Sequence, residues 1–425
     1  MKSYLPVRLG LILVLLLAAT TASQAAPMFA RQYNLSCAAC HAAFPRLNEF
    51  GKHFQATNYR LPNWKDGTVK TGDDQLALLP SIPMAIRAQA FTQAREAEAI
   101  DVTTGQRTGA DTDFQAPYLI KLLSSAPLSD HISYYFYGIF AEKGGNGEVI
   151  IEDAWFSHDN IFGSGVSMML GQFQVSDLMF PREIRMTFQD FMAYRMARIT
   201  YERGIILEKD LGGVDLALGI VNGNGIESNV TINSPGYKRP DHLFDNDNSK
   251  AIFLHAGTEW GPVNVGLLLY SGKQKNATGP AGTLSGTRNT DKNIIGLDLS
   301  GKLSANTWWF GQVLLNEWQG FINPGTNYEW LGLFIGVDHV TGGPWTYSVL
   351  YNYANASDFD NTDTIYEGID INSLTFNASY YFMRNVKGVI ELNVDLLGEE
   401  PQTGTYYTGH LTGESYILVG FDAAY

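Results

Sequence analysis

The sequence has few cysteines, few charged residues and few long apolar runs. It contains two cysteines among 425 residues, and charged residues make up 17% of the chain. Two cysteines exclude a disulfide-rich scaffold. After the first 25 residues there is no further run of about 18 apolar residues, which excludes a transmembrane helix there. The net charge of −14 argues against nucleic acid as a partner, because nucleic-acid-binding surfaces are basic.

Residues 1–25 are predicted to be a secretory signal peptide. Lys2 and Arg8 form a basic start, an apolar run of about eleven residues follows, and Ala25 ends a small-residue cleavage sequence. The apolar run is too short to span a bilayer, which needs about 20 helical residues. An uncleaved anchor helix is the alternative. The prediction places the mature chain outside the cytoplasm.

The two cysteines belong to a motif for covalent haem attachment. Cys37-Ala38-Ala39-Cys40-His41 follows the Cys-x-x-Cys-His pattern of c-type haem sites. The thiols are spaced to form thioethers with the two vinyl groups of one haem, and His41 follows as the proximal iron ligand. A redox disulfide would need a βαβ context, and a structural zinc site would need two further ligands. The motif therefore predicts one covalent haem c, held by Cys37, Cys40 and His41.

The second axial ligand of the haem iron is not determined by this motif. His53, downstream of His41, is a candidate distal ligand, although a lone histidine in a polar segment is more often a surface residue. A methionine is the alternative, and a His/Met pair would raise the reduction potential relative to two histidines. The methionines nearest to the motif, or available from the rest of the chain, are Met28, Met84, Met168, Met169 and Met179.

Residues 26–80 are predicted to form a small, mostly helical or irregular cytochrome segment around the haem. A segment this short has little apolar core of its own. Its residues 44–51 are predicted to form a short helix that ends at Gly51. Phe44, Leu47 and Phe50 recur at three-residue spacing, so they would pack either on the porphyrin or on one another.

Residues 81–425 are predicted to form an all-β transmembrane barrel. Strands of about ten residues are separated by turns rich in Gly, Asn, Asp and Pro. Near the C-terminus, Ile390 and Leu392 share one strand face while Lys387 and Glu391 share the other. A soluble half-buried sheet would give the same alternation. Charges confined to the alternate face, Tyr and Trp at strand ends, and a final strand that ends on an aromatic residue favour a membrane barrel with a polar lumen.

About sixteen antiparallel strands are expected in this barrel, with fourteen or eighteen as alternatives. The predicted starts lie near residues 84, 113, 132, 149, 165, 199, 214, 250, 263, 292, 307, 329, 345, 370, 386 and 414. About 21 residues for each strand and its turn is normal for a porin-sized barrel.

One stretch, residues 178–198, breaks the alternation. It has helical spacing and is too charged for a lipid-facing strand. The segment is predicted to be a loop or short helix that is folded into the barrel or over one mouth, where it could face haem propionates or the cytochrome segment. A solvated loop between two strands is the alternative. The arginines in it or near it are Arg182, Arg185, Arg195, Arg198 and Arg203.

The haem region and the overall order of the chain resemble a known family. The local match comprises residues 27–32, the motif at 37–41, Phe44-Pro45-Arg46-Leu47 and residues 50–54. With a signal peptide, one haem motif and one barrel, the chain is similar to the fused monohaem cytochrome–porins of the bacterial outer membrane, the iron oxidases of iron-oxidising bacteria. The haem-region motif is specific, whereas the barrel portion is generic.

This resemblance implies an Fe(II) oxidoreductase in the outer membrane of a Gram-negative bacterium. Fe(II) would be the electron donor at the cell surface and a periplasmic c-type cytochrome the acceptor, with outer-membrane lipid around the barrel. Cys37, Cys40 and His41 would be the haem residues, and no iron-binding residue is implied. The alternatives are an electron conduit for another redox partner and a diffusion porin with a structural haem. No nucleophile–base constellation, phosphate-binding loop or zinc signature favours another reaction.

Overall fold

A computed structural model describes most of the chain from Met28 onward. The described residues are 28–62, 64, 79, 82–95, 99–100, 107–108, 112–140, 150–223, 248–275, 289–323, 325–362, 369–397 and 415–425. The predicted signal peptide at 1–25 lies outside them. Among the described residues, none of the helices has the length and apolar character that a membrane-spanning helix needs.

Sixteen antiparallel strands form one closed barrel. The last strand pairs with the first, from Tyr416 opposite Arg95 to Ala424 opposite Arg87, so the barrel has no free edge. In chain order the strands are β1 Met84–Arg95, β2 Thr112–Pro127, β3 Ile132–Ile139, β4 Ile150–His158, β5 Ser167–Phe173, β6 Glu202–Asp210, β7 Val214–Val221, β8 Ala251–Trp260, β9 Val263–Lys275, β10 Asn289–Ser304, β11 Thr307–Gln319, β12 Asn327–Val340, β13 Trp345–Asn355, β14 Ile371–Met383, β15 Val386–Asp395 and β16 Tyr416–Ala424. The predicted barrel of about sixteen strands is confirmed, and each predicted strand start lies within a few residues of the observed one.

Alternation along the strands separates an apolar exterior from a polar interior. On β14, Phe376 is exposed on the outside, while Thr375 and Asn377 are buried inside. On β15, Ile390 faces outward and Glu391 is fully buried. Because the side-chain period of a strand is two residues, one register places all the apolar side chains on the outer face. A closed barrel with this surface satisfies its backbone hydrogen bonds within lipid.

The two ends of the barrel differ in their connections. Short turns such as 211–213, 261–262 and 384–385 join the strands at one end, which we call the short-turn end. Longer connections join them at the other end, including the stretch between β5 and β6. The chain enters β1 and leaves β16 at the short-turn end, where the backbone amide of Tyr425 donates to the carbonyl of Ile86 over 2.8 Å.

The N-terminal segment (residues 28–62) contains three short helices and a small hairpin. The helices are α1 Met28–Tyr33, α2 Cys37–Cys40 and α3 Glu49–Ala56. The hairpin pairs His41–Ala43 with Arg46–Leu47.

The predicted helix over residues 44–51 is wrong in its position. Arg46–Leu47, in the middle of this stretch, forms the second strand of the hairpin. The helix α3 begins only after Asn48, whose side chain accepts a hydrogen bond from the Gly51 amide over 2.9 Å. Asparagine is a favoured N-cap residue and Glu49 favours the first helical turn. The helix then continues past Gly51 to Ala56.

The inner loop (residues 174–201) folds into the lumen between β5 and β6. It contains two 3-10 turns, Val175–Leu178 and Arg182–Ile184, and the helix α4 Met192–Ala197. The Glu391 carboxylate on β15 accepts from the amides of Phe188 and Gln189 over 2.6 and 2.8 Å. Of the alternatives for 178–198, the loop with a short helix inside the barrel is the one observed.

Candidate haem site

The haem-attachment motif lies on α2 and the first residue of the hairpin. Ser36 caps the helix, with its hydroxyl accepting from the Ala38 amide over 3.4 Å. The backbone amide of His41 donates to the carbonyl of Cys37, which ends the helical turn and turns the chain into the hairpin. Cys37 is buried and Cys40 is half-buried, and no disulfide joins them. The motif is thus one rigid turn that displays two thiols and an imidazole together.

The orientation of His41 suits an axial haem ligand. Its Nδ1 lies 2.9 Å from the carbonyl oxygen of Pro45. A carbonyl can only accept, so Nδ1 carries the proton, and the lone pair on Nε2 is the one that could ligate a haem iron. Burial lowers the pKa of the His41 imidazole, with the hydrogen bonds to the carbonyls of Pro45 and Arg46 opposing this effect. The ring is therefore kept in its neutral, ligating form, and the residues present fit a c-type haem.

Asn48 and Gly51 fix α3 against the haem motif. The Asn48 amide group donates to the carbonyl oxygens of Ala38 and Ala39 over 3.3 and 3.0 Å, and its backbone amide donates to Cys40 over 2.9 Å. Gly51 packs on the same carbonyl so closely that a Cβ on it would overlap the Cys40 oxygen. A residue with no side chain is therefore required at this position.

An aromatic cluster fills the remaining volume of the N-terminal segment. The Phe29 ring stacks on Tyr59 at 4.7 Å and meets Phe54 edge-on at 5.2 Å. Tyr59 continues the stack onto Tyr135 and Trp155 of the barrel, each at 6.4 Å between ring centroids. Because these aromatic groups come from both parts of the chain, the segment shares its apolar core with the barrel.

Polar contacts seat the segment inside the short-turn mouth of the barrel. Arg46 forms an ion pair with the buried Asp338 of β12. Asn58 bonds the hydroxyls of Ser133 and Ser157 on β3 and β4, and Arg60 pairs with Asp159 in the turn after β4.

Further contacts come from strands that lie between β12 and β3 in the barrel. The Tyr381 hydroxyl of β14 donates to the carbonyl of Phe44, and Arg31 donates to the carbonyl of Met84 over 2.9 Å. These partners extend from β12 through β16 and β1 to β4, so the segment is held across the opening along more than half of the barrel wall.

The other candidate ligands lie on several different elements of the chain. His53 lies on α3 with its side chain exposed, so it remains only a predicted distal ligand. Met28 is buried in α1, Met84 is exposed at the start of β1, and Met179 is buried in the inner loop. Among the described residues, no group of three or more His, Cys, Asp or Glu side chains is arranged to hold a metal ion.

Between the barrel wall and the inner loop the lumen contains a cavity lined by five basic residues and by the carboxylates of Glu183 and Asp422. Arg87, Lys121 and Lys387 reach it from the strands and Arg182 and Arg185 from the inner loop. Sequence analysis singled out the two loop arginines and placed Lys387 on the lumen-facing side of its strand, but it missed Arg87, Lys121 and Asn48. It treated Gly51 only as the end of a helix. The available signal for the strand cations was a basic residue in the lumen-facing register. Nothing in the sequence marks the packing role of Gly51.

Comparison with solved structures identifies the barrel type. The anion-selective porin from Comamonas acidovorans superimposes with a TM-score of 0.53 at 13% sequence identity, over 81% of this chain and 99% of that one. The outer membrane channel DcaP of Acinetobacter baumannii gives 0.55 at 11% identity, over 81% and 97%. The fold is that of an outer-membrane porin. Salmonella typhi OmpF, solved with daunomycin, gives 0.53 at 12% identity, over 80% and 97%.

The porin fold agrees with the outer-membrane location predicted from the sequence. At these identities the likeness concerns the fold alone. No family model matches the chain, and no curated protein matches it either.

Proposed function

We propose that this protein is an outer-membrane electron-transfer protein that oxidises extracellular Fe(II) at a single covalent haem c. The electron would then pass to a c-type cytochrome in the periplasm. The observation that carries the proposal is the position of Cys37, Cys40 and His41, which sit in a segment seated inside the mouth of a porin barrel. In outer-membrane barrels the short turns face the periplasm, so this mouth would be the periplasmic one.

A haem inside a membrane barrel would solve the problem of moving electrons through a lipid layer. A hydrocarbon core of about 30 Å is a barrier to ions and electrons alike. A haem bound at the motif supplies a one-electron acceptor within that barrier. The barrel would separate it from lipid, and the stacked Phe29, Tyr59 and Trp155 rings fix the segment that would carry it to the barrel wall.

The protein residues would hold the acceptor without taking part in acid–base chemistry. Cys37 and Cys40 would attach it, and the Nε2 atom of His41 would ligate its iron. Asn48 and Gly51 would keep the motif at a fixed position in the mouth. Oxidation of Fe(II) to Fe(III) releases one electron and needs no proton transfer from the protein, so close approach and a suitable potential suffice.

Two other functions fit parts of the same architecture. An electron conduit for another redox partner would use the same haem with a different donor. A diffusion porin with a structural haem would use the barrel alone. The segment in the mouth favours electron transfer over solute diffusion, because a diffusion pore needs an open path through both ends of the barrel.

Anaerobic mixing of the oxidised, detergent-solubilised protein with Fe(II) tests the proposal. We expect the visible haem bands to shift rapidly to those of the reduced form. In the double variant Cys37→Ala, Cys40→Ala, the haem spectrum should be lost while the barrel still assembles, as judged by its heat-modifiable migration on a gel. A haem that dithionite reduces and Fe(II) does not would indicate another donor. An assembled wild-type protein without a haem spectrum would leave the diffusion porin.

A further inference from the structure

The barrel closes at one seam whose register no connecting loop can set. The strands β1 and β16 pair side by side, although they are the first and last strands of the barrel. Every other pair of neighbouring barrel strands is consecutive in sequence. In a hairpin, the turn type and the loop length fix the register of the two strands. At this seam the register must therefore come from contacts between the strands themselves.

The lipid-facing side of the seam does little to distinguish one register from another. The outward positions of β1 include Ala88, Ala90 and Ala94, and Ala423 of β16 lies opposite Ala88. A slip of one residue is costly, because it would turn the lumen-facing charged side chains toward lipid. A slip of two residues keeps every side chain on its own face, so the lumen side has to disfavour it.

On the lumen side, a buried ion pair crosses the seam. The Arg87 guanidinium on β1 donates to both carboxylate oxygens of Asp422 on β16, over 3.0 and 2.8 Å. Their side chains are 12% and 1% exposed. A slip of two residues would move the two groups about 7 Å along the strands. It would leave Asp422 with Lys387 of β15, at 3.9 Å, and Arg87 with Glu183 of the inner loop, at 3.4 Å.

A contact between an aromatic residue and a glycine gives the seam a second preference for the same register. Phe91 on β1 lies directly opposite Gly420 on β16. A Cβ atom at Gly420 would overlap the Cβ atom of Phe91 and the carbonyl oxygen of Ala90, so the two strands approach closely only because this position has no side chain. A slip of two residues in either direction would place Phe91 opposite Leu418 or Asp422, and both of these have side chains.

We propose that the seam contacts, Arg87–Asp422 and Phe91–Gly420, select the single register in which β1 and β16 close the barrel. The ion pair stabilises the native alignment, and the opposed glycine penalises the slipped ones. A buried polar group selects the register of a coiled coil in the same way. This role belongs to the barrel itself and does not depend on haem binding.

Disulfide cross-linking across the outer face of the seam measures the register directly. Two cysteines at directly opposite positions are close enough to form a disulfide, whereas cysteines at diagonal positions are too far apart. The variant Ala88→Cys, Ala423→Cys reports the native register. The variants Ala90→Cys, Ala423→Cys and Ile86→Cys, Ala423→Cys report a slip of two residues in one direction or the other.

All of these variants also carry Cys37→Ala and Cys40→Ala, which makes the test independent of haem and of the proposed function. In this background we expect cross-linking in the native register alone. Asp422→Asn should raise the slipped share by on the order of tenfold, because Arg87 loses a buried ionic partner. Phe91→Ala should raise the slipped share as well. The matched control is Asp298→Asn, which removes a lumen-facing carboxylate of β10 at a distance from the seam.

Heat-modifiable migration on a gel shows which variants have assembled. Native cross-linking alone in assembled Asp422→Asn and Phe91→Ala barrels would overturn the proposal. Equal slipped cross-linking in Asp422→Asn and Asp298→Asn would also overturn it, because the effect would not be specific to the seam. If both seam variants fail to assemble while Asp298→Asn assembles, the contacts are needed for closure rather than for its register, and the proposal is again wrong.

Discussion

At the scale of single residues, the haem motif is held in position by neighbours that would not themselves bind haem. Asn48 bonds three consecutive carbonyls of α2. Gly51 permits α3 to approach the carbonyl of Cys40. These two residues hold the turn from which both thiols and the imidazole project.

Replacement of Gly51 by alanine should disrupt this packing. The added methyl group would overlap the Cys40 carbonyl oxygen, so α2 and α3 must separate. We expect Gly51→Ala to lower the ratio of haem absorbance to protein absorbance in the purified, assembled barrel.

Gly342→Ala provides the matched control at the same end of the barrel. Gly342 lies in the turn between β12 and β13, and a Cβ there meets nothing within 4 Å. Equal haem content in Gly51→Ala, Gly342→Ala and the wild type would contradict the packing argument.

The residues of the haem motif were predictable from the sequence, whereas the residues that pack against the motif were not. Cys37, Cys40 and His41 stand in a fixed local spacing, so the motif identifies them before any fold is known. Asn48 and Gly51 matter because of what lies across from them in space, and local sequence does not specify such contacts.

At the scale of elements, buried and exposed ion pairs should differ in how firmly they seat the N-terminal segment. The Arg46–Asp338 pair is largely buried, and Arg46 also lies over the Trp308 ring at 4.6 Å. The Glu49–Lys302 pair, at 3.0 Å, joins two side chains that are 65% and 51% exposed. Solvent screens the exposed pair, so it contributes about 0–1 kcal/mol.

Breaking only one side of the buried pair should unseat the segment. In Arg46→Met, Asp338 is left buried and unpaired, at a cost of about 3–5 kcal/mol. We expect faster proteolysis of residues 28–62 at limiting protease, with the barrel intact. The double variant Arg46→Met, Asp338→Asn should recover most of the protection.

Lys302→Gln is the comparison for the exposed pair and should leave the proteolysis rate close to that of the wild type. Identical rates for Arg46→Met and Lys302→Gln would show that the buried pair does not anchor the segment.

Strands were easier to predict than the elements of the N-terminal segment. A period of two over many residues marks each strand, and the lipid requires that period wherever a strand crosses. The position of α3 depends on one cap, Asn48, and on the hairpin before it. A three-residue spacing of Phe44, Leu47 and Phe50 alone did not reveal that hairpin.

At the scale of the whole molecule, two separate parts of the chain lie within the porin barrel. The N-terminal segment is in the short-turn mouth, and the inner loop lies across the lumen. Porins that pass solutes need a continuous aqueous path. The arrangement therefore predicts a low ion conductance for the intact protein.

Removal of residues 28–79 should increase that conductance. The predicted signal peptide and the barrel from β1 onward are retained, so export and assembly should proceed. Planar-bilayer recording on the purified barrel would measure the change, with Lys302→Gln as a full-length control. An unchanged conductance would mean that the segment does not close the mouth.

The position of the segment in the mouth also bears on when haem could be attached relative to barrel assembly. Cys37 is buried once the segment lies in the mouth, and an enzyme that attaches haem needs access to both thiols. The segment precedes β1, and β1 pairs with β16, so the barrel cannot close before the end of the chain has arrived. Haem attachment would therefore come before the segment enters the mouth, on a chain that is not yet assembled into a barrel, and the membrane insertion machinery would then receive a precursor that already carries haem. A cell that fails to supply haem would export the same polypeptide with only the segment itself in the mouth.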